Sequence, residues 1–143
     1  MKTTNRPILL VEDDQVDTMT VMRALKEIHV TNPVVHLENG EEALLYLQDP
    51  ASEKPCIILL DLNMPIMNGI EFLQVVKHND QLKRIPVIVL TTSEEQQDKM
   101  SSFNLGVAGE RGSLLWTGKL MLFYQLVRRI HETYLSSYFY RRI

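Results

Sequence analysis

Asp61 closes an apolar run, Cys56-Ile-Ile-Leu-Leu60, and opens the turn Asp61-Leu-Asn-Met-Pro65-Ile-Met-Asn-Gly69. A second apolar run, Pro7-Ile-Leu-Leu-Val11, ends in the same way in Glu12, Asp13 and Asp14. If both runs are buried strands of one sheet, their acids meet at one mouth. Such a cluster suits a divalent cation and a phosphoryl group. Mg²⁺ favours oxygen ligands and commonly takes one or two carboxylates together with water and phosphate oxygens. Asp13 and Asp61 meet that need. With the approaching charge neutralised, the free carboxylate oxygen of Asp61 is placed to attack phosphorus and form an aspartyl phosphate. Thr91, after the run Pro86-Val-Ile-Val-Leu90, is placed to donate to the new phosphoryl oxygens.

These residues need a scaffold that brings strand ends together. Short runs rich in Val, Ile and Leu fall at Ile8 to Val11, Val34 to Leu37, Ile57 to Leu60 and Val87 to Leu90. Segments of helical period lie between them: Val16, Met19, Met22, Leu25 and Ile28; Ala43, Leu44 and Leu47; Ile70, Leu73 and Val76. Alternating strands and helices predict an α/β fold, a parallel sheet with helices on both faces. In a doubly wound sheet, ligands sit outside the carboxyl ends of the strands. Glu12, Asp13, Asp61 and Thr91 all follow such ends. Asn39-Gly-Glu-Glu42 offers a helix cap, Ser93-Glu-Glu-Gln96 has the form of a capping box, and Asp14 and Asp17 suit the first turn of the first helix.

Composition narrows the function classes. The 143 residues suit one domain, and a hydrophobic content of 45% is ordinary for a globular chain. The lone cysteine, Cys56, makes no internal disulfide, and no apolar run has the length of a leader or a membrane span. A cytoplasmic location with no membrane contact is the expectation. The net charge of −3 leaves no footprint for direct nucleic-acid binding. The two ends of the chain differ, however. Residues 1–109 hold 9 Lys/Arg against 16 Asp/Glu, and residues 110–143 hold 6 against 2. His29, His36, His78 and His131 show no metal-ligand spacing and read as surface or packing residues, and Trp116 reads as core.

The motifs taken together resemble the receiver domains of two-component response regulators, the chemotaxis-regulator-like family. Val11-Glu-Asp13 is similar to its acidic pair, Leu60-Asp-Leu-Asn-Met-Pro65 to its phosphoacceptor turn, Gly69 to the residue before its third helix, and Pro86-Val-Ile-Val-Leu-Thr91 to its switch-threonine strand. The resemblance covers residues 7–109. It implies a flavodoxin-like, five-stranded parallel sheet of order 2-1-3-4-5. It also implies Mg²⁺ held by Asp13, Asp61 and the backbone carbonyl of Asn63 with Glu12 beside them, and phosphoryl transfer to Asp61 from a sensor histidine kinase. The Leu90-Thr-Thr-Ser93 form is similar to small stand-alone regulators that work with phytochrome-like kinases. On this view the protein is a phosphoacceptor in a phosphorelay, with self-catalysed phosphorylation and dephosphorylation its only enzyme-like activity.

After Gly109 the pattern breaks. Where the family continues with an aromatic residue, two apolar residues and Lys-Pro, this chain has Glu110, then Ser113 and Leu114. The family lysine pairs with a phosphoryl oxygen, a contact of about 1.5–3 kcal/mol, or roughly ten- to a hundredfold in an equilibrium. Lys119 is the only lysine beyond Gly109. Phe123, Leu126, Val127, Ile130 and Tyr134 form a helical stripe suited to a last helix, and the aromatic, basic end suits a partner-binding or dimerising tail. Residues 110–143 therefore form an atypical segment within a single domain of 1–143, and a shifted reading frame explains the loss of motif and the change of charge together. Reading the encoding DNA in its other frames distinguishes the two accounts.

Three alternatives stand beside the phosphoacceptor. One is a receiver scaffold that works by protein contact without phosphorylation. Another is a phosphohydrolase with an aspartyl nucleophile, which would want a second acid where Asn63 stands. A dinucleotide-binding enzyme would want a glycine-rich turn in place of Glu12-Asp-Asp-Gln15.

Overall fold

In the computed structural model, residues 5–90 are described, except Ile28. Thr91, the Ser93 capping box, Glu110, Ser113, Leu114, Trp116, Lys119, the fifth strand and the last helix all lie outside the described residues. Within them, four strands, β1 (Ile8–Val11), β2 (Val34–Leu37), β3 (Ile57–Leu60) and β4 (Val87–Val89), form one parallel sheet in the order β2-β1-β3-β4. The first four positions of the expected order are thus observed. Only β4 is shorter than its apolar run, yet the Leu90 amide still donates to the Leu60 carbonyl at 2.6 Å.

Strands β1 and β3 are apolar at every position because both of their faces are covered. Leu9, Val11, Ile58, Leu60, Val87 and Val89 face one side, where α2 (Gly40–Gln48) brings Ala43 and Leu47 and α3 (Gly69–Lys77) brings Phe72, Leu73 and Val76. Ile8, Leu10, Ile57, Leu59 and Ile88 face the other side, where α1 (Gln15–Glu27) brings Val21 and Leu25. Strand β2 is only half-buried, as befits the edge.

The helix starts are set by side chains. Asn39, itself buried, accepts from the Glu42 amide at 2.9 Å, as Asn39-Gly-Glu-Glu42 predicts. Asn68 and Glu71 form a reciprocal capping box on α3, which the sequence pattern Asn68-Gly-Ile-Glu71 carries.

Helix α1 corrects one expectation. Of the stripe Val16, Met19, Met22 and Leu25, only Leu25 is buried; the first three face outward, at 66%, 58% and 43% exposure, and Thr18, Val21 and Ala24 are buried instead. Steps of three residues generate both stripes, and side-chain size favours the wrong one. The orientation is decided by a polar contact: Thr18 turns inward to donate to the Asp14 carbonyl at 2.8 Å and to meet His36 at 3.2 Å.

The β3–α3 turn is tight. Ile66 adopts φ 67°, a left-handed conformation costly for a β-branched residue, and remains 75% exposed. At Gly69, a Cβ would stand 2.6 Å from the Asp61 carbonyl oxygen and 2.6 Å from Leu62 Cδ2. Gly69→Ala is therefore expected to lower stability by about 1–3 kcal/mol, as overpacking against backbone does. Ile66→Asn should raise it by about 1 kcal/mol through relief of left-handed strain. Urea denaturation midpoints check both.

Candidate functional site

The sheet register brings the acids together. Val11 pairs with Leu60, and the ladder runs one step further: the Asp61 amide donates to the Val11 carbonyl at 2.9 Å and the Glu12 amide to the Leu37 carbonyl at 3.0 Å. Glu12, Asp13 and Asp61 consequently offer carboxylate oxygens that all lie within 4.8 Å of one another. Burial is graded across them. Glu12 is buried at 4% exposure, Asp61 is half-buried and Asp13 is exposed.

Local hydrogen bonds orient each group. Glu12 Oε1 accepts from the Asp14 amide at 3.1 Å, and Asp61 Oδ1 accepts from the Asn63 amide at 3.1 Å. The Asp61 carboxyl also bonds to that of Glu12. Asp14 takes the role expected of it, since its Oδ1 accepts from the Asp17 amide at 2.8 Å at the start of α1. Asn63 thus touches the site through its amide, and Thr91 lies outside the described residues.

Like charges at this range cannot all ionise cheaply. Burial, then the neighbouring Asp61 carboxylate, push the Glu12 carboxyl up to about 8, although the Asp14 amide opposes them. Burial also raises Asp61, as do the charges of Asp13 and Asp17, while the Asn63 amide and the bond to Glu12 pull it down. Burial and mutual repulsion thus favour a protonated carboxyl in this hydrogen-bonded pair. Among the described residues, no lysine or arginine pairs with either of them. Three oxygen donors with a buried, uncompensated member are the donor set that a hard divalent cation satisfies.

One supporting contact escaped the sequence reading. His36, treated there as a surface or packing residue, places Nε2 at 2.6 Å from the Glu12 carbonyl and 3.2 Å from Thr18 Oγ1. With the Thr18 hydroxyl donating to Asp14, the imidazole donates to the Glu12 carbonyl, and together they clamp the Glu12–Asp14 turn from behind. The available signal was a polar residue inside the apolar strand β2, in register with Leu10 of β1.

Comparison with known proteins agrees with this geometry. The family described as response regulator receiver domain matches residues 8–109. Response regulator Rcp1 of Synechocystis sp. is 42% identical over 104 residues, 70% of this chain and 71% of that protein. Among solved structures, the phosphorylated cyanobacterial phytochrome response regulator RcpA is 35% identical with a TM-score of 0.76, over 94% of this chain and 96% of that one. The Mn²⁺-bound form of response regulator Rcp1 is 35% identical with a TM-score of 0.74, over 92% and 96%.

The raised Glu12 carboxyl gives the metal-free protein a testable pH dependence. A carboxyl whose folded pKa exceeds its value of 4.5 in the unfolded chain binds more protons when folded. Its stabilising contribution is complete below about 4.5 and is lost as pH rises through about 8. The thermal midpoint in EDTA should therefore fall between pH 5 and pH 9, and Glu12→Gln should flatten that slope. A slope unchanged by the substitution would show that Glu12 is not the group responsible.

Proposed function

The chain belongs to the response regulator receiver family, and from that membership we propose that Asp61 accepts a phosphoryl group from a sensor histidine kinase in a Mg²⁺-dependent phosphorelay. The observation that carries this reading is the convergence of Glu12, Asp13 and Asp61 at one strand-end mouth. The likeness to regulators named for phytochromes supports a kinase of that class as the donor.

Asp13, Asp61 and the backbone carbonyl of Asn63 would hold the cation, with Glu12 behind them. When bound, Mg²⁺ supplies positive charge that offsets the carboxylates and the incoming phosphoryl oxygens. Asp61 is the nucleophile. Its Oδ1 is held by the Asn63 amide, and its other oxygen is the proposed attacking atom. The new O–P bond forms as the P–N bond to the donor imidazole breaks, and that nitrogen leaves with the electron pair. Thr91 is the proposed donor to the transferred group. In this reading residues 1–143 act as one receiver domain whose output passes through protein contacts, those of a homodimer among them. Receiver domains are signalling proteins, and any catalysis of phosphorylation or dephosphorylation here would be the domain's own.

Intact-mass analysis tests the proposal. Acetyl phosphate with Mg²⁺ should add one phosphoryl group, and Asp61→Asn or EDTA should abolish the gain. Replacing Ser113-Leu114 with Lys-Pro should favour the switched, phosphorylated state roughly ten- to a hundredfold if it restores a charge-assisted phosphoryl contact, read as tighter Mg²⁺-dependent phosphoryl-analogue (BeF₃⁻) binding. Absence of any mass gain in the unmodified chain favours the phosphorylation-independent interaction module, for which the Ser113-Leu114 sequence is the specific argument.

A further inference from the structure

A cavity of about 280 Å³ lies at the pole opposite the acids, by the amino ends of β1, β3 and β4. It is lined by Arg6, Lys54, Cys56, Gln81, Arg84 and the apolar group Leu82, Ile85 and Pro86. No aspartate or glutamate lines it. Three cationic residues and an apolar group thus share one concavity, which has space for more than a bare anion.

The individual contacts sharpen this. Arg6 donates through Nε to the Lys54 carbonyl and through Nη2 to the Pro55 carbonyl, each at 2.9 Å. Neutral acceptors fix the guanidinium plane without cancelling its charge, which lowers the entropy lost when a ligand binds. Lys54 is anchored on the carbonyls of Leu47 and Asp49 near the end of α2. Lys83, adjacent to Arg84, does not line the cavity and instead pairs with Asp80 at 2.9 Å. Arg84 is the cation on that wall without a carboxylate partner among the described residues. Leu82 and Ile85, both buried, give the floor an apolar surface on which a carbon skeleton can rest.

We propose that the Arg6–Arg84 cavity binds a small organic phosphate, its phosphate held by the two guanidinium groups and its carbon skeleton on Leu82, Ile85 and Pro86. Guanidinium groups match phosphate oxygens in geometry as well as charge. The volume exceeds that of a bare phosphate ion and suits a sugar phosphate. The site is separate from Asp61 and needs neither Mg²⁺ nor phosphoryl transfer.

Cys56 provides the measurement, because it lines the cavity and is the only cysteine of the chain. The full chain is alkylated with iodoacetamide in EDTA, with ribose 5-phosphate, inorganic phosphate or potassium chloride at matched ionic strength, and followed by intact mass. Ribose 5-phosphate at ten times its dissociation constant should slow alkylation by about tenfold, the reciprocal of the open fraction. Inorganic phosphate should protect more weakly, and chloride not at all. Arg84→Gln should weaken protection by about tenfold or more, and Arg6→Gln should do likewise. Lys83→Gln and Asp61→Asn should leave protection unchanged, which separates this site from the acidic one. Equal protection by chloride, protection that survives Arg84→Gln, protection by inorganic phosphate alone, or no protection by ribose 5-phosphate would each overturn the proposal.

Discussion

The pairing of β1 with β3 is the constraint on which the site depends. A one-residue slip in a parallel ladder would turn each side chain to the opposite face, so the apolar burial of Ile8 to Val11 against Ile57 to Leu60 holds the register firmly. The bond from the Asp61 amide to the Val11 carbonyl then carries that register one residue beyond the strands. Carboxylates that repel one another are thereby held in proximity by hydrophobic packing that is indifferent to their charge. The sheet supplies stability and the strand ends bear the electrostatic cost.

That cost explains the details around the acids. Amides from Asp14 and Asn63 meet the oxygens of Glu12 and Asp61, and the His36–Thr18 clamp fixes the backbone from the far side. Gly69 lets α3 close against the carbonyl of Asp61. These contacts limit the freedom of the turn, so a ligand that meets the carboxylates need not order them first. The carboxylate oxygens themselves are met by backbone amides, which do not titrate.

How much of this was legible in the sequence depended on the kind of signal. Strands buried on both faces announce themselves: β1 and β3 fall on their apolar runs to the residue, and the half-buried edge strand β2 also matches its run. Asp61, Glu12 and Asp13 were legible because each ends such a run. The inward face of α1 was not legible, since Val16, Met19 and Met22 and the buried Thr18, Val21 and Ala24 share the same spacing, and the choice rests on a hydroxyl meeting an imidazole from another strand. The same reason hid His36: its role depends on a partner 24 positions away, at the Glu12 carbonyl. The cavity at Arg6 and Arg84 is assembled from three separate stretches of chain, and only folding brings them together.

The placement of charge along the strands has a consequence for encounters in solution. Arg6 stands just before β1 and Glu12 with Asp13 just after it, while Lys54 and Asp61 bracket β3 in the same sense. Two parallel strands carrying cations at one end and anions at the other make an electric dipole along the sheet, across roughly 20 Å for the seven positions that separate Arg6 from Asp13 and Lys54 from Asp61. In the field of a partner bearing positive charge, such a domain experiences a torque that turns its carboxylate end forward before any contact is made. Because a partner's field is screened over a Debye length of about 8 Å at physiological salt, this alignment operates only in the last nanometre or so of approach.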